Sequence, residues 1–237
     1  MNPELLTFDD PKGAAEACGA AILELLTAAR TERGVARLAV SGGATPRIMF
    51  EWMAGQGFDW SCVDLFWVDE RCVPTEDDQS NYRMTRESLL DSIKVEPRQI
   101  HRVETEYSPD EAATRYVATI TRTFGLPPGE LPEFDVLQRG MGPDAHTASL
   151  FPGEPLIENH TDIAAAVFVK KFMQHRVTLL PGVLEKARRT LCLVTGTDKA
   201  DALLTVLKGD RDPMQAPSQI SSPHMTWYLD RLAVAKL

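Results

Sequence analysis

The chain has 237 residues, 43% hydrophobic and 25% charged, with a formal charge of -9. That is enough apolar material for one large α/β unit, here expected to span residues 1–237. The acidic balance excludes a broad nucleic-acid or anionic-membrane surface, so an anionic ligand has to meet a local basic pocket. Cys18, Cys62, Cys72 and Cys192 are scattered without metal-ligand spacing and read as reduced thiols. The stretch from Met1 to Asp10 has neither the basic start nor the apolar core of a leader, and no 18-residue apolar run occurs, so a cytoplasmic protein is expected.

In chain order, Leu5 to Phe8 predicts a strand. Asp9-Asp10-Pro11 supplies cap and first-turn residues for a helix through Ala14, Ala17, Ile22, Leu25 and Leu26, which Gly34 closes. Ala36 to Val40 predicts a buried strand, Ser41 to Thr45 a tight loop with Thr45 as N-cap, and Pro46 the first turn of the next helix. Val63 to Val68 predicts another strand, followed by a polar loop, a helix around Tyr82 to Ile93, a short strand near His101 and a helix from Ser108 to Phe124. After the Pro127-Pro128 break come strands at Phe134 to Leu137, Ala164 to Val169 and Val177 to Leu180, a helix at Pro181 to Lys186, and a strand at Thr190 to Val194. A helix from Lys199 to Leu207, an excursion over Asp210 to Pro223 and a strand at Met225 to Leu229 close the series. Such alternation predicts a Rossmann-like, mainly parallel sheet with helices on both faces, which binds ligands at the carboxyl ends of its strands.

Three polar constellations follow apolar strands and can share one rim. Ser41-Gly42-Gly43-Ala44-Thr45 has the small side chains that let backbone N-H groups approach a phosphate at a helix start, although a turn kept tight by glycine reads the same way. Asp69-Glu70-Arg71 ends a buried strand with charges that need solvent, one another or substrate. There Arg71 can grip an anion and Asp69 can orient a group or handle a proton, or one acid simply pairs with Arg71. Gly140 to Gly153 sets flexible backbone beside Asp144 and His146, whose imidazole has a reference pKa of about 6.5 and can exchange protons near neutrality. Gly140-x-Gly142-x-x-Ala145 also matches a relaxed dinucleotide fingerprint, but Pro152-Gly153 follows too soon for the helix such a site needs. Arg176 and Lys199, each beside an apolar strand, can add cations to the rim, with solvated charge as the simpler reading for Lys199. His101, His160, His175 and His224 read as packed or surface residues, and no zinc-hydrolase, serine-hydrolase or NTPase motif is present.

Taken together, Ser41 to Pro46, Val68 to Pro74, Ser80-Asn-Tyr-Arg-Met84 and Gly140 to Gly153 resemble the 6-phosphogluconolactonase family, and Arg176-Val-Thr, Thr195-Gly-x-x-Lys199-Ala and Trp227 to Arg231 follow in the family's order. The resemblance implies the fold of glucosamine-6-phosphate deaminase and ribose-5-phosphate isomerase. It implies hydrolysis of 6-phospho-D-glucono-1,5-lactone, the second step of the oxidative pentose phosphate pathway, with no metal or organic cofactor. By motif it makes His146 the general base, assisted by Asp69. Arg71, Arg176 and Lys199 become the cations for phosphate and oxyanion, and Ser41, Gly42, Gly43, Ala44 and Thr45 the lining of the sugar-phosphate pocket. The implied partner is a small phosphosugar lactone, met by a monomer or homodimer, with no nucleic acid and no membrane. A deaminase of the same fold and a non-catalytic sugar-phosphate sensor are the alternatives. The family usually has glycine where this chain has Ala145; if that position needs a positive φ, the Cβ costs about 1 kcal/mol. Gln138-Arg139 also departs, standing where apolar strand residues are usual.

Overall fold

The computed structural model describes residues 3–237; Met1 and Asn2, which open the stretch read for a leader, lie outside them. Seven strands form one parallel sheet: β1 (Glu4–Phe8), β2 (Ala36–Val40), β3 (Val63–Trp67), β5 (Ile100–His101), β6 (Val136–Arg139), β9 (Thr190–Val194) and β10 (Met225–Asp230). Their order is β1-β10-β9-β6-β2-β3-β5. The chain builds outward from β2 through β3 to β5, then restarts at β6 on the other side of β2. The switch point is therefore the gap between the carboxyl ends of β2 and β6, the position at which open α/β sheets bind their ligands. The Ser41 loop leaves one of these strands and the Gly140 loop the other.

Helices cover both faces because the strands carry apolar residues on both sides. α1 (Pro11–Arg33) starts with Asp10 Oδ1 accepting from Gly13 N at 2.8 Å and Pro11 in its first turn, and stops at Gly34 with φ 76°. Its buried stripe of Ala14, Cys18, Ile22 and Leu26, spaced by four, packs with α2 (Ala44–Ala54) in a cluster that includes Leu38, Val40, Leu65 and Trp67. On the opposite face α4 (Pro109–Phe124) and α5 (Pro181–Lys186) join Phe66, Phe134 and Leu137, and α6 (Ala200–Lys208) joins Val194, Trp227 and Leu229.

The strands expected at 164–180 do not extend this sheet. β7 (Ala164–Val169) and β8 (Gln174–Leu179) form a hairpin that pairs antiparallel with β4 (Asp69–Arg71), giving a separate sheet of order β4-β8-β7. Asp69 to Arg71 is thus a strand where a polar loop was expected; pairing, rather than its own composition, makes it one. The transfer from sheet to sheet takes a single residue. Val68 N donates to Val40 O at 2.8 Å while its carbonyl accepts from Leu179 N at 2.8 Å. Next to it the Tyr116 hydroxyl of α4 accepts from Trp67 N at 2.9 Å and donates to Trp67 O at 2.6 Å, supplying the bonds that a neighbouring strand would have made. Burial pushes the Tyr116 phenol far above its ordinary pKa, so it stays a hydroxyl.

Other boundaries shift locally. The helix expected over 82–93 is α3 (Asn81–Ser88) followed by a 3-10 turn at Leu90–Ser92. α2 starts at Ala44 with Gly43 as N-cap (φ 127°), so Thr45 is a first-turn residue and not the cap. α6 starts one residue after Lys199, which ends a 3-10 turn (Thr197–Lys199). No helix among the described residues is long and apolar enough to cross a membrane.

Candidate active site

β4 alternates its side chains across two faces, and its two acids therefore do different work. Glu70 points toward α3, where its carboxylate accepts from Asn81 N at 2.8 Å, Tyr82 N at 2.7 Å, Arg71 N at 2.7 Å and the Ser80 hydroxyl at 3.1 Å. It caps a helix start, where negative charge is favoured. Burial raises its pKa, and these donors oppose the rise. Asp69 and Arg71 share the other face with Thr178 and Arg176, their register partners on β8. Neither acid bonds the Arg71 guanidinium, which reaches the Gln79 carbonyl at 2.5 Å.

The Arg71–Arg176 pair stands out energetically, since like charges directly opposite on an antiparallel pair repel. Arg176 is 7% exposed. Burial, first, and Arg71, in a lesser way, lower its pKa; only Asp69, 3.9 Å from Nη1, and Glu70 oppose them. Two guanidiniums carried on register partners, one of them desolvated, have the chemistry to share an anion.

The Gly140 loop docks on this face. Ser149 donates from its hydroxyl to Asp69 Oδ2 at 2.6 Å and from its backbone to Thr178 Oγ1 at 3.1 Å, and it accepts from Arg176 Nη1 at 3.4 Å. The His146 ring then lies stacked on Phe151, with centroids 4.0 Å apart and an interplanar angle of 24°. The Arg176 guanidinium sits 5.8 Å from that same Phe151 ring. His146 Nδ1 donates to Asp144 Oδ1 at 2.5 Å, so in the neutral ring the lone pair falls on Nε2. Asp144 Oδ2 accepts from Lys171 Nζ at 2.7 Å. The imidazole bond first, then the ammonium, hold the Asp144 carboxyl well below the usual range.

Two close approaches make the geometry possible. A Cβ on Gly142 would lie 1.9 Å from His146 Nδ1, and one on Gly42 would lie 1.9 Å from Asn81 Oδ1. Asn81 in turn donates to the Asp69 carbonyl at 2.9 Å, so Gly42, Asn81, Asp69, Ser149 and the His146 loop form one continuous contact path. Ala145 has φ 62°, the left-handed conformation in which its Cβ is strained. Its carbonyl accepts from Ser218 N at 2.9 Å and the next carbonyl, of His146, accepts from the Ser218 hydroxyl at 3.1 Å, so the excursion after α6 braces the strained turn.

The cradle differs in part from its expected form. Ser41 N and Oγ both donate to Gln138 Oε1, at 3.1 and 3.2 Å, so that N-H is already committed, while Gly42 to Thr45 run on into α2. Gln138 has a purpose that an apolar residue could not serve: it ties the cradle to the sheet centre. Arg139 is buried on the opposite face, donating to the Ile220 carbonyl. Thr45 Oγ1 lies 2.7 Å from Thr195 Oγ1, bringing the turn that carries Lys199 beside the cradle. Lys199 itself pairs with its neighbour Asp198 at 2.7 Å; among the described residues it makes no hydrogen bond or ion pair to the other site groups.

The motif reading passed over Asp144 as a partner of His146, and with it Ser149, Phe151, Lys171, Gln138 and Asp230. Asp230 is fully buried and accepts from Gly196 N at 3.0 Å, shaping the turn before Lys199. A carboxylate two residues before a loop histidine was the available signal for Asp144. The other histidines are packed or peripheral: His101 stacks on Phe66 at 4.4 Å and His160 bonds Glu185 at 2.9 Å.

Residues 9–228 match the model of the family described as glucosamine-6-phosphate isomerases/6-phosphogluconolactonase. The chain belongs to this family. Among members of the glucosamine-6-phosphate isomerase/6-phosphogluconolactonase family, it is 34% identical over 211 residues to a 6-phosphogluconolactonase from Synechocystis sp., covering 88% of this chain and 87% of the relative. A 6-phosphogluconolactonase structure from Trypanosoma cruzi superposes with a TM-score of 0.89 at 24% identity, covering 100% of this chain and 98% of that one. A monomeric glucosamine-6-phosphate deaminase superposes with a TM-score of 0.83 at 15% identity, covering 98% of this chain and 99% of that one. At those identities the two structures bear on the fold, which is the α/β architecture shared by lactonases and deaminases of the family.

Proposed function

We propose that this protein is a 6-phosphogluconolactonase, hydrolysing 6-phospho-D-glucono-1,5-lactone to 6-phosphogluconate in the pentose phosphate pathway. Curated relatives of that name support the activity, Synechocystis among them. The observation that carries the residue assignment is the paired Arg71 and Arg176 on β4 and β8, with the His146 ring stacked on the same Phe151 that Arg176 overlies. This couples an anion site to a proton acceptor.

In this reading the guanidiniums of Arg71 and Arg176 hold the phosphate, helped by the start of α2 at Gly42 to Thr45, with Lys199 at the edge. His146 Nε2 removes a proton from water, and the oxygen adds to the lactone carbonyl carbon. The ring C-O bond then breaks, and its oxygen takes the proton back from the imidazolium, giving the open acid. Asp144 keeps the ring oriented and favours its transient charge; Asp69 acts at one remove, holding Arg176 and Ser149. No covalent intermediate is needed, because a lactone is already an activated ester, and a positioned base contributes about 10² to 10⁴ in rate. The four cysteines are free thiols, which suits the cytoplasmic setting we infer, and the protein acts as a monomer or homodimer.

The test is lactone loss after generation by glucose-6-phosphate dehydrogenase, corrected for spontaneous opening, with glucosamine 6-phosphate and an ammonia assay in parallel. His146→Ala is expected to lose at least 10² in kcat. Hydrolysis by His146→Ala at the parent rate would remove His146 as the base, and ammonia release without lactone hydrolysis would make the protein a deaminase.

A further inference from the structure

Asp144 is shared. One of its oxygens accepts the hydrogen bond from His146 Nδ1 and the other accepts from Lys171 Nζ, a residue 27 positions away at the tip of the β7–β8 hairpin. We propose that Lys171 is a positioning residue that sets, through Asp144, the pH at which His146 works as a base; this rests on the assignment of His146 made above.

The hairpin grips the imidazole from two directions. Its Lys171 reaches Asp144, while its Phe172 meets Phe151 edge-on, with centroids 5.9 Å apart at 71°, and Phe151 carries the His146 ring. The tip is a defined turn: Lys170–Phe172 is 3-10, closed by Met173 N donating to Lys170 O at 3.2 Å, with Met173 at φ 50°. Lys171 is thereby aimed by the turn. Its side chain is 51% exposed, so the ion pair adds little to stability, and its influence has to be sought in the group that Asp144 serves.

A carboxylate bonded to an imidazole alone favours the imidazolium, which cannot accept a proton. An ammonium on the second oxygen draws off part of that preference and adds a like charge nearby, so Nε2 stays available at lower pH while its orientation is kept. The other charged groups around the imidazole are consistent with this role for Lys171. Arg176 lies against the same Phe151 ring, 5.8 Å from its centroid; Lys170 and Glu154 line the same cleft as Asp144 and Lys171; Asp69 bonds Ser149. Ser218, the contact from the Pro217–Gln219 turn, is neutral. Among the described residues, Lys171 is the cation bonded to the carboxylate that holds His146.

The experiment is the pH dependence of kcat and kcat/KM for the full-length parent, Lys171→Gln, Lys171→Arg and Lys171→Glu, with His146→Ala as reference. Lys171→Gln is expected to move the acidic limb of kcat/KM upward by about 0.5 to 1 unit, with the plateau kcat within about twofold of the parent. Lys171→Glu should move it further and Lys171→Arg hardly at all, and the shift should shrink in high salt because the pair is half exposed. Ring-nitrogen NMR titration of His146, assigned by its loss in His146→Ala, should show the same displacement without turnover. An unmoved limb in Lys171→Gln overturns the proposal. So does a KM that rises equally at every pH with the limb unmoved, which would mark a substrate contact, or a uniform fall in kcat, which would mark a structural residue. Parent protein without turnover, or His146→Ala at parent rate, would bring down the base assignment and this proposal together. An active, His146-dependent parent with an unmoved Lys171→Gln limb brings down this proposal alone.

Discussion

The two sheets contribute to the site in different currencies of structure. The seven-stranded parallel sheet offers loops: Ser41 to Thr45 and Gly140 to His146 leave β2 and β6 at the switch point and work through backbone approach, with Gly42 and Gly142 where any Cβ would collide. The three-stranded antiparallel sheet offers side chains: Asp69, Arg71, Arg176 and Thr178 stand in register on one face. Position along a loop is tolerant, whereas an antiparallel register fixes which charges face each other. The division explains why the paired charges sit on the small sheet while His146, the base we propose, sits on the bending loop.

Substitutions on each side should separate the two contributions. Next to His146→Ala, the larger effect belongs to the side-chain half: Arg176→Gln is expected to lower kcat/KM by about 10- to 100-fold, since a charged hydrogen bond is worth about 1.5 to 3 kcal/mol. Steady-state kinetics should show the loss chiefly in KM, and a loss confined to kcat would remove the phosphate from Arg176. On the backbone half, Gly42→Ala must displace Asn81 and is expected to destabilise the fold by about 1 to 3 kcal/mol in urea unfolding, with a matching fall in turnover. An unchanged midpoint would mean that the cradle is looser than its contacts. The smallest change is Ala145→Gly. Relief at φ 62° should stabilise by up to about 1 kcal/mol with turnover equal to the parent or faster, and a lower denaturation midpoint would count against strain at this turn.

Much of the large sheet was readable from the chain because its strands are short apolar runs between turn residues. Ala36 to Val40 and Thr190 to Val194 are almost wholly buried, and the first helix carries its own cap at Asp10 and stop at Gly34. The small sheet was hidden for the opposite reason. Asp-Glu-Arg has no strand character of its own, and its state is decided by a partner more than 100 positions away. The site divides in the same way. Asp69 and Arg71 could be picked out because charge is costly at the end of a buried strand, His146 because bending glycine backbone holds it beside a carboxylate, and Arg176 because it sits beside an apolar strand; contacts through Ser149 and Phe151 join their elements. Lys199 could be picked out on the same grounds as Arg176, yet its ion pair is with Asp198. Asp144 had a signal in its place two residues before His146, but Lys171 needed coordinates, since nothing in its spacing says that it and His146 reach opposite oxygens of that carboxylate. Gln138 was visible only as an oddity in a strand until its two bonds to Ser41 gave it a task.

The passage from β3 to β4 through Val68 alone makes the site a matter of parity. With one residue between the sheets, odd positions 69 and 71 face Arg176 and the even position 70 faces α3. One inserted or deleted residue would exchange them, presenting Glu70 on the face that carries Arg176 and turning both Asp69 and Arg71 toward the helix. The length of this crossing, as much as the identity of the residues after it, decides which charges the pocket displays.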